Sequence, residues 1–268
     1  MIGAVSSRAF GSLRGFVGEA GAILLLTGKV ISAAARPPYS WGSEFLSQFL
    51  FALRVAWLPM VITTLALTYG PTGIETANFL NLFGALDRLG GLFVLLVVRE
   101  FAPLVCAVVV AGAAGTAICA DLGARKIREE LDALMVLGVD PIRSLVVPRF
   151  LALILVTSLF DVFAIAVGSF GGVLVTITNH APLGPFWATY FTNATSPELL
   201  ASLLKTAIFG AIIAVVCCYK GMAAKGGPEG VGRAVNQAVV MAFMTLGAVD
   251  YAFTQTLLAT HPELNAIR

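Results

Sequence analysis

The sequence predicts an all-α protein that crosses a membrane several times, and two observations carry this prediction. Apolar residues make up 58% of the 268 residues, charged residues make up only 12%, and the mean hydropathy is +0.91, far from the composition of soluble domains. The apolar residues gather into five long intervals, each near or above the roughly 20 residues that a helix needs to cross a bilayer. The formal net charge of +2 is too small to indicate nucleic acid as a partner.

The first predicted element is an amphipathic helix over residues 1–36 that lies in the membrane interface. A signal peptide is the alternative, because Arg8 and Arg14 precede an apolar patch. That patch, residues 22–26, is too short, and Lys29 interrupts the apolar run soon after it. A helix with one apolar and one polar side is typical of interfacial segments, and the apolar side here consists of Phe10, Leu13, Val17 and Leu24.

Residues 37–268 hold the five apolar intervals, which are predicted to be transmembrane helices at about 45–69, 89–119, 145–177, 199–219 and 234–258. The first interval includes Arg54 and Pro59, so a broken or re-entrant helix is an alternative to a straight one. The second and third exceed the bilayer thickness and are expected to tilt or to project beyond it. The aromatic segment 183–193 is expected to be a short external helix or loop at the interface.

The longest polar stretch, residues 123–149, predicts two helices joined by a tight turn between the second and third spans. The first helix, about 126–137, has apolar residues at i, i+4, i+7 and i+8, and acids between them. The apolar residues are Ile127, Leu131, Leu134 and Met135, and the acids are Glu129, Glu130 and Asp132. Gly138 is the predicted stop of this helix, and Asp140 and Pro141 are the predicted N-cap and first residue of the next one.

This polar stretch has two interpretations, a solvated loop between spans or a docking element that presents acids and a small apolar face to a soluble partner. Its orientation is indicated by the basic residues, which concentrate before the first span, in 120–149 and just after the fourth span. Residues 70–87 and 178–204 contain neither lysine nor arginine. The positive-inside rule therefore places the amino terminus and the polar stretch in the cytoplasm and the carboxyl terminus outside.

Charged residues inside the predicted spans include Arg99, Glu100, Asp161, Lys205 and Asp250. An ionised group in hydrocarbon costs at least about 2.5 kcal/mol, so each must face a cavity, a partner residue or the membrane edge. Arg99 and Glu100 are adjacent and diverge by about 100° on a helix, so they cannot pair ideally with each other. They are predicted to line a cavity for an amphiphilic substrate, with pairing between helices as the alternative. For Asp161, Lys205 and Asp250, cavity and structural pairing both stay open.

Small residues occur where helices could approach closely. Gly168 and Gly172 form a GxxxG pattern and residues 111–115 read AGAAG, which favours a tight bundle and a dimer, although glycine is common in membrane helices. The cysteines show no metal-ligand spacing and are predicted to be small core residues. They are Cys106, Cys119, Cys217 and Cys218.

Several kinds of chemistry are not expected of this chain. The sequence contains no GxxxxGK[ST] phosphate loop, so the chain is not expected to bind ATP in that way. His180 and His261 lie in external segments without a metal-ligand pattern, and no metal or cofactor is predicted. An intramembrane hydrolase built on Asp161 and Asp250 lacks the surrounding motif of a protease class. The sequence therefore predicts no enzyme.

Two long stretches resemble the MlaE/YrbE family, the permease subunits of ABC lipid transporters that work with MCE-domain proteins. They are VVREFAPLVCAVVVAGAAGTAICADLG at 97–123 and EELDALMVLGVDPIRSLVVPRF at 129–150. The resemblance continues more weakly through GPEGVGRAVNQAVV and LGAVDYAF, and covers about two thirds of the chain. The EELDAL form is most similar to the actinobacterial YrbE branch of Mce systems. Many relatives carry arginine where this chain has Ala113.

The resemblance implies that residues 37–268 form a permease domain in the cytoplasmic (inner) membrane and that 126–137 is a coupling helix. This helix would dock into a separate ATPase that binds the ATP, using Glu129, Glu130, Leu131, Asp132, Leu134, Met135, Asp140 and Pro141. The substrate would be a lipid, namely a fatty acid, a mycolic acid, a sterol or a phospholipid, and import is the implied direction. A second YrbE-type permease would complete a heterodimer, with a homodimer as the alternative, and MCE proteins would bind on the outer side.

One alternative from another class is a non-transporting membrane scaffold that anchors MCE proteins, with the cytoplasmic helix merely structural. A secondary transporter is a third interpretation, but such proteins normally show a repeated half and more spans. The sequence shows no internal repeat.

Overall fold

The structure, a computed structural model, describes residues 2–37, 39 and 41–265, and side chains from residue 18 onwards except at 263 and 265. Within these residues the chain consists of helices joined by short turns, without a strand, which confirms the all-α prediction. In chain order the helices are α1 (Ile2–Ala35), α2 (Gly42–Leu82), α3 (Leu86–Ile127), α4 (Glu130–Val136), α5 (Ile142–Thr178), α6 (Leu183–Asn193), α7 (Ser196–Met222) and α8 (Gly227–Thr260). A short 3-10 turn, Pro262–Asn265, comes after α8.

Six segments within the described residues have the length and apolar character to cross a membrane. Five of them are α2, α3, α5, α7 and α8, each longer than the span predicted there. The sixth is Gly18–Ala35, the second half of α1. Its placement in the interface stays a prediction, because length and composition are compatible with both arrangements. Most of the predicted apolar face of α1, from Phe10 to Val17, lies outside the described side chains, and Leu24 is exposed.

Helix α2 is continuous through Pro59, so the broken or re-entrant alternative is wrong for this span. Ala52, Ala56 and Met60 recur every four residues on the buried side of α2, which packs along α5. Arg54 and Pro59 lie on the exposed side. Packing of this buried side against α5 stabilises the helix on both sides of Pro59. The proline removes only one backbone N–H donor, and it does so on the exposed side.

The predicted close approach of helices occurs inside the chain. A Cβ at Gly168 would lie 2.5 Å from the Val97 side chain of α3, and one at Gly172 would lie 2.8 Å from Phe93. These glycines therefore seat α5 against α3 and are not available as a face between two copies of the chain. In the other predicted pattern, Gly115 packs against α7, 3.0 Å from the Cys217 sulfur by the same measure.

All four cysteines are buried and unpaired, which confirms their prediction as small core residues. The aromatic segment 183–193 is helix α6, so the helical form of that prediction is confirmed. The side chain of Phe186 on α6 is buried against Phe93 of α3, at a ring-centroid distance of 6.0 Å. This contact closes the end of the bundle opposite to α4.

Candidate functional site

The polar stretch between α3 and α5 folds as a short helix that is separate from the preceding span. Helix α3 ends at Ile127, Glu129 adopts a left-handed backbone conformation (φ 60°), and α4 begins at Glu130. The prediction of a single helix over 126–137 is therefore wrong at its start. The physical reason is that the left-handed residue interrupts the helix, so α4 takes a new direction and packs beside the end of α3.

The other end of α4 has the predicted stop and restart. Gly138 has a φ of +76°, its N–H donates to the Met135 carbonyl (3.1 Å), and the Val139 N–H donates to the Leu134 carbonyl (2.9 Å), which is a Schellman ending. The Asp140 carboxylate accepts the N–H of Ile142 at 2.9 Å, so the N-cap role of Asp140 is confirmed. Helix α4 is thus joined to α5 by a short, hydrogen-bonded turn.

The apolar residues of α4 divide between the core and the surface. Leu131 is buried and Leu134 packs against the same core, so these two predicted anchors mainly attach α4 to the bundle. The exposed apolar surface lies at the end of the helix and in the turn after it, where Val136 is 87% and Leu137 is 77% exposed. We call this surface the α4 patch, and it consists of Met135, Val136, Leu137 and Val139.

The acids beside the α4 patch are mostly engaged with neighbouring basic residues. The Glu130 carboxylate lies 2.8 Å from Nε of Arg128, and the Asp132 carboxylate lies 2.9 Å from Nζ of Lys126. Glu129 is exposed. Negative charge is therefore present around the patch, but two of the three predicted acids already have a partner on the chain.

A buried arginine links the ends of three long helices near α4. The Arg149 guanidinium of α5 donates to Asp121 of α3 at 2.7 Å and to the Leu145 carbonyl at 2.7 Å, and lies 3.6 Å from Glu44 of α2. Asp121 also accepts from Arg125 at 3.1 Å. The ends of α2, α3 and α5 next to α4 are thus fixed by one ionic network.

A second network lies within the spans, around Lys205 of α7. Nζ of Lys205 lies 3.1 Å from Glu100 of α3, 3.0 Å from Asp250 of α8 and 2.9 Å from the Thr254 hydroxyl. The Thr254 hydroxyl in turn donates to Glu100 at 2.9 Å. Lys205, Glu100 and Asp250 were predicted separately, and the structure brings them together. We call these four residues the Lys205 cluster.

Arg99 points to a different partner from its neighbour Glu100, as their divergence on a helix requires. Its guanidinium forms a buried ion pair with Glu198 at the start of α7 and donates to the Leu264 carbonyl at 2.8 Å. Asp161 of α5 is fully buried, accepts from Ser202 of α7 at 2.8 Å, and has no partner on its other carboxylate oxygen among the described residues. The structure thus gives Arg99, Glu100 and Asp161 partners on other helices.

Sequence reasoning missed the partners of these charges. Glu44, Asp121 and Glu198 lie at helix ends, where a charged residue needs no explanation. The only indication of these acids in the sequence was indirect. Arg149 and Arg99 lie in apolar intervals, and each therefore required an acid within reach. Which acid meets which cation depends on the packing of helices that are distant in sequence.

Comparison with known proteins places most of these elements in one family. Residues 45–256 match the family described as "Permease MlaE". The chain is 35% identical over 174 residues to the "Probable ABC transporter permease protein slr1045" of Synechocystis, covering 65% of this chain and 66% of that protein. It is 29% identical to the "Probable ABC transporter permease protein RT0041" of Rickettsia typhi, over 90% of this chain and 93% of that one. It is 30% identical to the "Intermembrane phospholipid transport system permease protein MlaE" of Haemophilus influenzae, over 64% and 67% of the two chains.

Proposed function

Because the chain belongs to the MlaE permease family, we propose that it is the membrane-spanning subunit of an ABC transporter that moves lipids. As a permease it is not an enzyme, in agreement with the sequence prediction. The relatives named as ABC transporter permeases and as a phospholipid transport permease support the lipid-transporting role. ATP would be bound and hydrolysed by a separate subunit.

The observation that carries the proposal is the α4 patch, which adjoins a polar turn and leaves four apolar side chains exposed. An exposed apolar cluster rimmed by charges is typical of a protein–protein contact. Leu131 and Leu134 attach α4 to the core, and the Asp140 cap attaches it to α5. A displacement of the α4 patch by an ATPase would therefore be transmitted to α5, because the turn between α4 and α5 is held by the Asp140 cap.

We further propose the arrangement of the other partners. The ATPase and α4 lie on the cytoplasmic side of the inner membrane, MCE proteins bind on the outer side, and a second YrbE-type permease completes the transporter as a heterodimer. Import of a lipid is the proposed direction. Of the two residues predicted to line the lipid path, Glu100 fits better, since its side chain is 29% exposed whereas Arg99 is buried in its ion pair.

The coupling role is tested by co-purification of the ATPase with a Val136→Ser/Leu137→Ser variant. We expect the ATPase to be lost while the permease still inserts, because truncation of exposed interface anchors typically costs about 2 kcal/mol or more. The matched control is Leu82→Ser/Phe83→Ser, an equally exposed apolar pair at the far end of α2. If the wild-type chain co-purifies with MCE proteins but with no ATPase, the result would instead favour the alternative of a non-transporting membrane scaffold.

The substrate class is tested by mass spectrometry of lipids that co-purify with the intact complex. Orientation is tested by labelling single cysteines at positions 126 and 262, and the buried native cysteines give little background. Position 126 should react only from the cytoplasm and position 262 only from outside. Labelling of both from one side would contradict the proposed topology.

A further inference from the structure

Two adjoining cavities lie where the end of α1 meets the start of α5. The first, about 360 Å³, is mostly apolar, and its lining includes Leu25, Leu26, Tyr219 and Met222. The second, about 240 Å³, is lined by Ser32, Arg36, Asp140 and Arg143, among others. Lys29 and Ile142 line both cavities, so the apolar space adjoins the polar one.

The polar cavity carries an excess of positive charge. Lys29, Arg36 and Arg143 supply three cations against the one carboxylate of Asp140, and that carboxylate accepts the Ile142 N–H. Among the ion pairs of the described residues, none uses Lys29 or Arg36. A ligand with negative charge would therefore be attracted to this cavity, where its charge would pair with Lys29 and Arg36.

The geometry points to a binding site for an anionic phospholipid, and we propose that its phosphate lies among Lys29, Arg36 and Arg143 while one acyl chain fills the apolar cavity. A free anion would leave the apolar cavity, which the exposed Leu25 lines, unfilled. A neutral lipid would leave Lys29 and Arg36, which form no ion pair among the described residues, without an added counter-charge. Only an amphiphile with a negative headgroup satisfies both cavities, and basic pockets beside membrane helices are suited to such headgroups.

This site differs from the proposed transport path. It lies at the end of the bundle next to α4, and its lining comes from α1, α5 and the region around the end of α7. The Arg143 guanidinium donates to the Arg36 carbonyl at 2.6 Å, so α1 is already tied to the first turn of α5. A lipid bound here would strengthen that tie and fix α1 relative to the turn that carries α4. The lipid is thus a resident component and not the cargo.

The site is tested by native mass spectrometry of the full-length chain in detergent, titrated with phosphatidylglycerol and with phosphatidylcholine of the same acyl chains. We expect phosphatidylglycerol to bind about tenfold more tightly or better. A Lys29→Gln/Arg36→Gln variant should lose this preference. The control Lys225→Gln/Arg233→Gln removes the same charge from exposed residues that line neither cavity, and it should keep the preference.

A third variant tests the acyl-chain cavity. Ala22→Phe would fill the apolar space, so it should weaken both lipids. Equal binding of the two lipids by the wild-type chain would overturn the proposal, as would equal losses in the two glutamine variants. Competition by glycerol phosphate as effective as that by phosphatidylglycerol would show a site for headgroups alone, which also overturns it. None of these measurements needs an ATPase or transport, so they are independent of the proposed function.

Discussion

Charged side chains concentrate in two regions of this chain, the Lys205 cluster and the surroundings of α4, and the regions differ in how much water reaches them. The Lys205 side chain is 1% exposed, whereas that of Asp132 beside α4 is 47% exposed. Both regions consist of ion pairs with nitrogen–oxygen distances near 3 Å. Similar pair distances therefore occur with very different burial.

The difference in burial decides how much each region contributes to the stability of the fold. Loss of one partner from a buried ion pair leaves an uncompensated charge and costs about 3–5 kcal/mol, while an exposed pair contributes about 0–1 kcal/mol. The Lys205 cluster therefore fixes how α3, α7 and α8 pack together. The pairs around α4 hold little energy, so their members can exchange partners when another protein docks.

The largest effect is expected from Lys205→Met. It leaves Glu100 and Asp250 close together without their cation, so we expect a loss of about 3–5 kcal/mol of stability. The measurement is thermal unfolding of the purified chain in detergent. The triple variant Lys205→Met/Glu100→Gln/Asp250→Asn should recover much of the loss, because it removes the stranded charges as well. A single variant as stable as the wild type would show that the 29% exposure of Glu100 and the 15% exposure of Asp250 are enough for solvent to stabilise both acids without Lys205.

Arg99→Met comes next and separates pairing from substrate contact. If Arg99 only pairs with Glu198, the single variant loses about 3 kcal/mol and Arg99→Met/Glu198→Met recovers stability, because no charge is left buried. If Arg99 contacts the lipid, both variants lose lipid uptake whatever their stability. Thermal unfolding and a lipid-uptake assay on the same two variants distinguish these outcomes.

The Arg149 network should show an intermediate effect, because one side of it is buried and the other is not. The Arg149 side chain is 1% exposed, and that of Asp121 is 41% exposed. Asp121→Asn weakens the pairing of a buried cation and should cost about 2 kcal/mol, since hydrogen bonds between charged groups are worth about 1.5–3 kcal/mol. Arg149→Met leaves acids that water can reach and should cost less. The opposite order in thermal unfolding would contradict this assignment of burial.

The sequence was sufficient where a local rule decides the structure. Apolar length located the long helices, and Gly138 and Asp140 marked the end of α4 and the start of α5, because caps depend on only a few neighbouring residues. The left-handed Glu129 could not be predicted, since it is an uncommon conformation for this residue type. The left-handed Glu129 divides the helix that the apolar periodicity indicates. It also orients α4 so that the Leu131 side chain is buried in the core.

The sequence identified the charged residues within the apolar intervals but not their ion-pair partners. Adjacent Arg99 and Glu100 had to diverge, and they do, yet nothing in the sequence links Arg99 to Glu198 or Glu100 to Lys205. These contacts depend on which helices are neighbours in the bundle and on their relative depth. The glycine pattern had the same ambiguity, because a GxxxG stripe fits a contact within the chain as well as one between chains.

The smallest loss of stability is expected at α4, where the ion pairs are exposed. Asp132→Asn removes the partner of Lys126, but both side chains stay in reach of water, so the loss of stability should be below about 0.5 kcal/mol. The same change removes a negative charge beside the α4 patch. Rim charges act mainly on encounter, so ATPase association should slow and lose part of its salt dependence, while dissociation changes little.

Leu137→Ala is the matched variant, since it also leaves stability unchanged but removes an apolar anchor of the patch. It should speed ATPase dissociation, with about a tenfold loss of affinity. Surface plasmon resonance at two salt concentrations measures both rates for both variants. Should Asp132→Asn destabilise the chain as much as Asp121→Asn does, the pairs around α4 belong to the structural network, and burial no longer separates the two regions.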